Sequence, residues 1–440
     1  MALPAGARLR FGLLMFRSIL RGNALLGDPS AAVLARSPNT DPYPLYERVR
    51  ARGEISRSRL GMYATASHPI VNSILRDQRF GVRSANDIAR ESFQSGVGHG
   101  NAVHPIQDSF LSLDPPTHTR LRKMVAPWFT PRGLRARSER IEQVVDGFLD
   151  ELGDRDQFDL IDDFAVRVPV QVICDLLGVP GEEYPKFIPW GAILGASLDD
   201  VRTVAEYNRL SGALTEMAGY FTELIEHRRA EPGDDLISEL VAAGDTDPAV
   251  LHADLLASIE LLLVAGFETT VNLIGNAVLA LLRNPDALAW FVANPDRADD
   301  LVEEVLRHDP PVQFTMRMAH EPLTLGGVDF KRDDPILVLL AGANRDPSVF
   351  SEPDRFDPTR ANNREHLAFS AGVHYCLGAG LARIEAAVAL RALFTRYPGL
   401  ALAGKPRRRH SRNINGMLHL PVRGQAVRTA SISSTTSSTT

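Results

Sequence analysis

The sequence predicts one large, mainly α-helical domain with a small β component. Three observations carry that prediction. Apolar residues recur at helical spacing over most of the chain from about residue 117 to residue 397. One stretch, 252–282, is apolar on most faces and reads as a buried central helix. No Ser/Gly/Pro linker and no internal repeat divides the middle of the 440 residues, which are enough for a sizeable core.

Each element has its own signal. The N-terminal run Phe11 to Phe16 is apolar but is stopped by Arg17, too short for a secretory core or a membrane span. It predicts a helix packed on the domain. The other reading is an amphipathic helix on a membrane surface, with Arg10, Arg17 and Arg21 as its polar side. Residues 1–27 are therefore set apart as an extension. Asp41 to Val49 reads as a turn followed by a helix entry. Residues 82–113 hold Gly96, Gly98 and Gly100 and no clear period, so they predict a long mobile loop.

Helices are predicted over 117–125, 134–152, 211–230 and, more briefly, 234–241. The stretch 162–177 is mainly helical and is broken or entered at Pro169. Beyond the central helix, 298–308 is helical and stops at Pro310-Pro311. Residues 323–340 read as strands around a Gly326-Gly327 turn. An Ala/Leu-rich helix spans 377–397, and Pro398-Gly399 ends it. The Ser/Thr tail lacks the apolar content to fold, which leaves 28–424 as the domain and 425–440 as a disordered end.

Composition narrows the function. The chain carries 48 basic and 54 acidic residues, a net charge of −6, which argues against nucleic-acid binding. Its two cysteines, Cys174 and Cys376, cannot build a disulfide scaffold or a four-thiolate metal site, and they fit a reducing cytoplasm. Cys174 sits in an apolar stretch and reads as a small core residue.

Cys376 is different. It lies in Phe369-Ser370-Ala371-Gly372-Val373-His374-Tyr375-Cys376-Leu377-Gly378, where a glycine-containing loop meets a helix start. Helix N–H groups there favour thiolate over thiol. Gly372 and Gly378 allow close backbone approach to something flat, Phe369 can shield the sulfur, and His374 can reach an anionic group. These features suit a haem iron with one axial thiolate.

The pattern F-x-x-G-x-x-x-C-x-G resembles the haem-binding loop of the cytochrome P-450 family, and three further motifs follow in the family's order. Ala265-Gly266-Phe267-Glu268-Thr269-Thr270 is similar to its distal-helix signature. Ala265 and Gly266 would leave room above the haem, with Glu268 and Thr269 as the acid–alcohol pair that relays protons. Taken alone, Thr269 and Thr270 would simply bond back to the carbonyls four residues earlier. Glu304-Val305-Leu306-Arg307 matches the buried E-x-x-R pair, and Arg355 in Pro353-Asp354-Arg355-Phe356 matches the arginine that completes this structural triad. His118 and Arg122 share a helix face and look like propionate ligands, as do Arg317 and His374. Ser370 departs from the family, which often has glycine there.

The resemblance covers about residues 28–424. It implies the P-450 fold, with heme b held between the long distal helix and the Cys-loop helix. It also implies an oxygen-dependent monooxygenase acting on a lipophilic small molecule, such as a steroid, terpenoid, polyketide or fatty acid. By the same match, Leu261, Val264, Ala265, Phe314, Thr315 and Ile414 would line the substrate pocket, with sheet packing as the rival role for Ile414. The chain has no dinucleotide fingerprint, so electrons would come from a ferredoxin or flavodoxin with a separate NAD(P)H reductase. Arg120, Lys123, Arg132, Arg135 and Arg137 could steer such an acidic partner, or could be ordinary solvated surface. Nothing demands more than a monomer. A peroxide-driven haem-thiolate enzyme, a non-catalytic haem protein and a haem-free helical protein stay open as alternatives.

Overall fold

A computed structural model describes residues 5–37, 39–83, 103–197, 203–247 and 249–427. Most of the predicted 82–113 loop and of the Ser/Thr tail lies outside those residues.

The helix His252–Arg283 is the centre of the molecule. Every residue from Leu255 to Val264 and from Thr270 to Leu279 is buried, as its all-round apolar sequence requires. Around it pack Arg167–Leu177, Phe187–Ser197, Val204–Ala230, Ala298–His308 and Ala379–Arg396. The contact with Phe187–Ser197 is close because two glycines one turn apart face the long helix. A Cβ on Gly191 would stand 2.3 Å from the Phe267 ring, and one on Gly195 2.6 Å from the Glu268 carboxyl.

Several elements match their predicted bounds, including Thr117–Val125 and Ala298–His308. The 134–152 prediction is corrected to two helices, Pro131–Arg135 and Ser138–Leu152. The 211–230 helix begins earlier, at Val204, because Thr203 and Glu206 form a reciprocal capping box. Pro169 lies in the first turn of Arg167–Leu177, where its missing N–H has no intrahelical partner to lose.

The strands form small sheets to one side. Five of them, β1 (Ser56–Arg57), β2 (Tyr63–Thr65), β3 (Phe80–Gly81), β5 (Thr315–Ala319) and β8 (Pro335–Val338), pair in the order β1-β2-β8-β5-β3. β4 (Gln157–Asp159), β12 (Pro421–Arg423) and β9 (Ala401–Leu402) make a second sheet. β6 (Leu323–Leu325) and β7 (Val328–Phe330) flank the predicted Gly326-Gly327 turn. β10 (Arg407–Arg408) and β11 (Met417–His419) form a C-terminal hairpin. This hairpin is clasped to the opposite end of the chain. Arg36 Nη2 donates to the Arg412 carbonyl at 2.6 Å, and Arg412 Nη1 donates to the Leu34 carbonyl.

Candidate active site

The loop before Ala379–Arg396 is held by its own backbone. Cys376 N–H donates to the Phe369 carbonyl at 2.9 Å, and Ser370 N–H donates to the Leu367 carbonyl at 2.9 Å. Two residues adopt left-handed backbone, Ser370 at φ +61° and Gly372 at φ +67°. At Gly372 a side chain is sterically impossible without movement, since a Cβ would stand 2.2 Å from the Leu75 carbonyl oxygen. Cys376 is the exposed cysteine and Cys174 the buried one. Protein crowds Cys376 enough to push its thiol up, against the Gly378 N–H and the cations Arg122 and Arg383. Arg122 Nη2 also donates to the Tyr375 carbonyl at 2.6 Å, tying the helix Thr117–Val125 to the loop.

The long helix has one interruption in its burial. Ala265 is exposed, and Gly266 and Thr269 are partly exposed, within an otherwise buried segment. Residues 265 and 269 are one turn apart, so the accessible surface lies on one face. Thr269 Oγ1 donates to the Ala265 carbonyl at 2.8 Å, and Thr270 Oγ1 to the Gly266 carbonyl at 2.9 Å. Glu268 is fully buried. Its Oε1 accepts from Asn272 Nδ2 at 3.1 Å and forms an ion pair with Arg409 Nη1 at 2.8 Å. Its Oε2 has no hydrogen-bond partner. Burial raises the Glu268 carboxyl, and Arg409 and Asn272 oppose that rise without cancelling it.

A set of incompletely bonded histidine and arginine side chains lies near Asp114. The His118 ring is 2 % exposed, and neither nitrogen has a hydrogen-bond partner. It packs on His374, ring centroids 4.5 Å apart. Burial, then His374 and Arg122, push the His118 imidazole down to about 4, so it is neutral at pH 7. His374 Nε2 lies 3.7 Å from Asp114 Oδ1 and makes no hydrogen bond. Arg317 is also buried, which lowers it to about 10 against the pull of Asp114. Its Nη1 reaches only Thr315 Oγ1 and the Met316 carbonyl, at 2.9 and 2.8 Å. Buried donors left this incomplete call for acceptors. Two carboxylates of a flat cofactor would satisfy His118, Arg122, Arg317 and His374 together, so the residues present fit a haem.

Comparison with known proteins agrees. The cytochrome P-450 family profile matches residues 298–423. The 6-deoxyerythronolide B hydroxylase of Saccharopolyspora erythraea is 44% identical over 314 residues, 70% of this chain and 76% of that protein. The vitamin D(3) 25-hydroxylase of Pseudonocardia autotrophica is 42% identical over 317 residues, 71% of this chain and 77% of that protein. The ligand-free crystal structure of CYP164A2 from Mycobacterium smegmatis superposes with a TM-score of 0.80 at 39% identity, covering 90% of this chain and 99% of that one. The chain belongs to the cytochrome P-450 family. It is a haem-dependent monooxygenase with the P-450 fold.

The P-450 structural triad needs one correction. Glu304 and Arg307 are fully buried and doubly bonded, Nε to Oε2 at 2.8 Å and Nη2 to Oε1 at 2.7 Å. The predicted third member, Arg355, contributes its backbone instead, accepting from Arg307 Nη2 at 2.9 Å. The Arg355 side chain is largely exposed and pairs with Glu352 and Asp357. The cation beside Glu304 is Arg360, at 3.7 Å from Oε2 and 9 % exposed. The reason is local. Arg307 pins the Arg355 carbonyl, and Asp357 N–H bonds Glu304 Oε1 at 2.8 Å, so the Arg355 side chain projects outward.

The proposed pocket residues are dispersed in character. Leu261 and Val264 are buried on the long helix, next to the exposed Ala265. Phe314 packs on the cluster that includes Tyr46 and Leu337, and Thr315 accepts from Arg317. Ile414 bridges Val312 in a strand-like pair, the sheet-packing role.

Sequence reasoning missed three residues of the site. Arg409 lies in the basic run 405–410, which by charge alone reads as exposed surface, yet it pairs with the distal acid. Asn272 was overlooked one turn past Glu268. Glu303 sits beside the triad glutamate and organises the other side of the Cys loop: Arg383 donates to it, His366 Nε2 lies 3.1 Å from its Oε2, and the Arg383 guanidinium covers the Phe369 ring at 4.5 Å. Burial raises the Glu303 carboxyl, but those two bonds outweigh it and hold the group at about 2.

Proposed function

We propose that Cys376 is the axial thiolate ligand of the haem, with His118, Arg122, Arg317 and His374 on its propionates. The observation that carries this reading is the site's asymmetry. A cysteine loop flanked by Arg122 and Arg383 would face a long helix whose burial between Leu255 and Leu279 breaks only at Ala265, Gly266 and Thr269. Thiolate-ligated haem supplies the dioxygen chemistry when bound. The chain's own part is protons, positioning and dryness. Glu268 Oε1 is occupied by Asn272 and Arg409, so Oε2 is the atom that takes and releases a proton. Thr269 donates to the Ala265 carbonyl, which leaves its oxygen lone pairs toward the exposed face of the helix until the O–H rotates outward. The buried flanks of the helix exclude bulk water.

The substrate in this reading is a bulky lipophilic molecule, hydroxylated or epoxidised. Leu261 and Val264 support an apolar pocket beside Ala265, and two relatives are named as hydroxylases of 6-deoxyerythronolide B and of vitamin D(3). Electrons come from a separate ferredoxin or flavodoxin and its NAD(P)H reductase. Lys123, Arg132 and Arg135 are exposed beside the Cys-loop helix, where Leu134 packs on Gly380. Arg137 is less available, since its guanidinium covers Trp128 at 4.2 Å.

The test is the carbon monoxide difference spectrum of the dithionite-reduced protein. Wild type is expected to show a strongly red-shifted Soret band that Cys376→Ala abolishes while haem stays bound. A band typical of histidine ligation in wild type would overturn the ligand assignment. Arg132→Glu with Arg135→Glu is expected to slow ferredoxin-supported reduction and flatten its salt dependence.

A further inference from the structure

The N-terminal helix spans Ala5–Leu25, and its described side chains from Leu14 onward bury little apolar surface. Leu20 is buried against the helix Pro29–Ala35. By contrast Leu14, Met15, Phe16, Ile19, Leu25 and Leu26 are all exposed, between 47 and 89 %. Six of the thirteen exposed large apolar side chains among the described residues thus fall within thirteen consecutive positions. Single exposed apolar residues are ordinary, but a contiguous set marks an interaction surface.

Charge decides what that surface meets. Residues 1–27 contain Arg8, Arg10, Arg17 and Arg21 and no acidic residue. The first acid is Asp28, which is buried and spent on capping the next helix through Ser30 and Ala31 N–H. Arg17 and Arg21 are one turn apart and border Leu14 and Leu25 on the helix surface, and Met15 and Ile19, also one turn apart, continue the apolar face on the other side of those leucines. A helix with apolar residues facing outward, bordered by arginines and lacking acids, is complementary to an anionic bilayer surface. Four arginines in 21 residues forbid its crossing the bilayer, and at about 31 Å it lies flat instead. Pairing the same face with a second copy would bring like-charged arginine stripes together.

We propose that this helix docks the enzyme peripherally on anionic lipid. The surface is separate from the haem site and places the protein where lipophilic molecules partition.

The test is co-sedimentation of the full-length holoenzyme with extruded vesicles, either pure phosphatidylcholine or a mixture containing phosphatidylglycerol. Binding is expected to the anionic vesicles, weakened by salt, and much weaker to the neutral ones. Each arginine near an anionic surface contributes about 1 kcal/mol, so Arg17→Gln with Arg21→Gln should weaken partition roughly 25-fold. Arg17→Lys with Arg21→Lys should largely restore it. Met15→Gln with Ile19→Gln should also lose binding, with an unchanged haem spectrum showing that the fold is intact. Wild type remaining in the supernatant with anionic vesicles would overturn the proposal. So would equal binding to neutral vesicles, or a dimer that Met15→Gln with Ile19→Gln dissociates while lipid binding is absent.

Discussion

Removing Arg409 isolates a carboxyl from which water is already excluded. Glu268 is 1 % exposed in its side chain, Arg409 13 %, and their 2.8 Å contact is the only ion pair the acid makes among the described residues. Breaking a buried pair from one side costs about 3–5 kcal/mol, because the remaining charge has no compensation. In Arg409→Gln the acid can avoid part of that cost by binding a proton. The pH dependence follows from its sign. Burial already raises the folded carboxyl above its unfolded value, so the folded state binds the extra proton, and stability falls as pH rises between the two values. Losing Arg409 raises the folded value further and extends that window upward. The deficit of Arg409→Gln should therefore be small at mildly acidic pH and approach the full cost, a factor of at least 10² in the unfolding equilibrium, at alkaline pH. Urea unfolding followed by tryptophan fluorescence at three pH values measures it. In a Glu268→Gln background the same substitution should cost much less, giving a coupling well above 1 kcal/mol in the double-mutant cycle. A deficit independent of pH, or unchanged by Glu268→Gln, would refute the reasoning.

Other expectations come from the same structure. Ser370→Gly should stabilise the protein by about 1 kcal/mol, since left-handed backbone costs a non-glycine residue about 1–2 kcal/mol and glycine returns part of that as chain entropy; a higher urea midpoint is the readout. Gly372→Ala should lower haem retention sharply, because its Cβ would strike the Leu75 carbonyl, and the haem-to-protein absorbance ratio reports it. Arg307→Ala should cost about 3 kcal/mol by leaving the buried Glu304 with only the longer contact to Arg360, whereas Arg355→Ala should stay within about 0.5 kcal/mol, a contrast that urea unfolding separates.

The fold was largely legible because its chief signals are local. An apolar helix of this length has nowhere to go but the centre, and a proline pair after His308 can only end a helix. The Cys loop was legible because glycine, cysteine and aromatic spacing are fixed by backbone geometry, and the structure shows why Ser370 stood out: its φ is +61°. What sequence could not supply were long-range partners. Thr269 and Thr270 each bond the carbonyl four residues back, the local behaviour expected of any helical threonine, and nothing in their spacing shows the exposed face beside them. The pairing of Glu268 with Arg409 spans more than a hundred residues, and the basic run that holds Arg409 looks like solvated surface until the hairpin folds. The exchange of Arg355 for Arg360 has the same origin. Both arginines flank one turn, and only the direction of the Arg355 carbonyl decides which guanidinium faces Glu304.

The clasp between the chain's two ends has a consequence for biosynthesis. Arg36 and Arg412 are 376 positions apart, and the Arg122 contact that steadies the cysteine loop spans 253. A ribosome releases the chain from its N-terminus, so the long helix emerges well before Arg409, and its acid waits unpaired until the last stretch is made. The cysteine loop also appears late, and the helix Ala379–Arg396, whose Arg383 covers Phe369, later still. A nascent chain halted before the C-terminal hairpin should therefore hold the cofactor poorly even with Cys376 already synthesised.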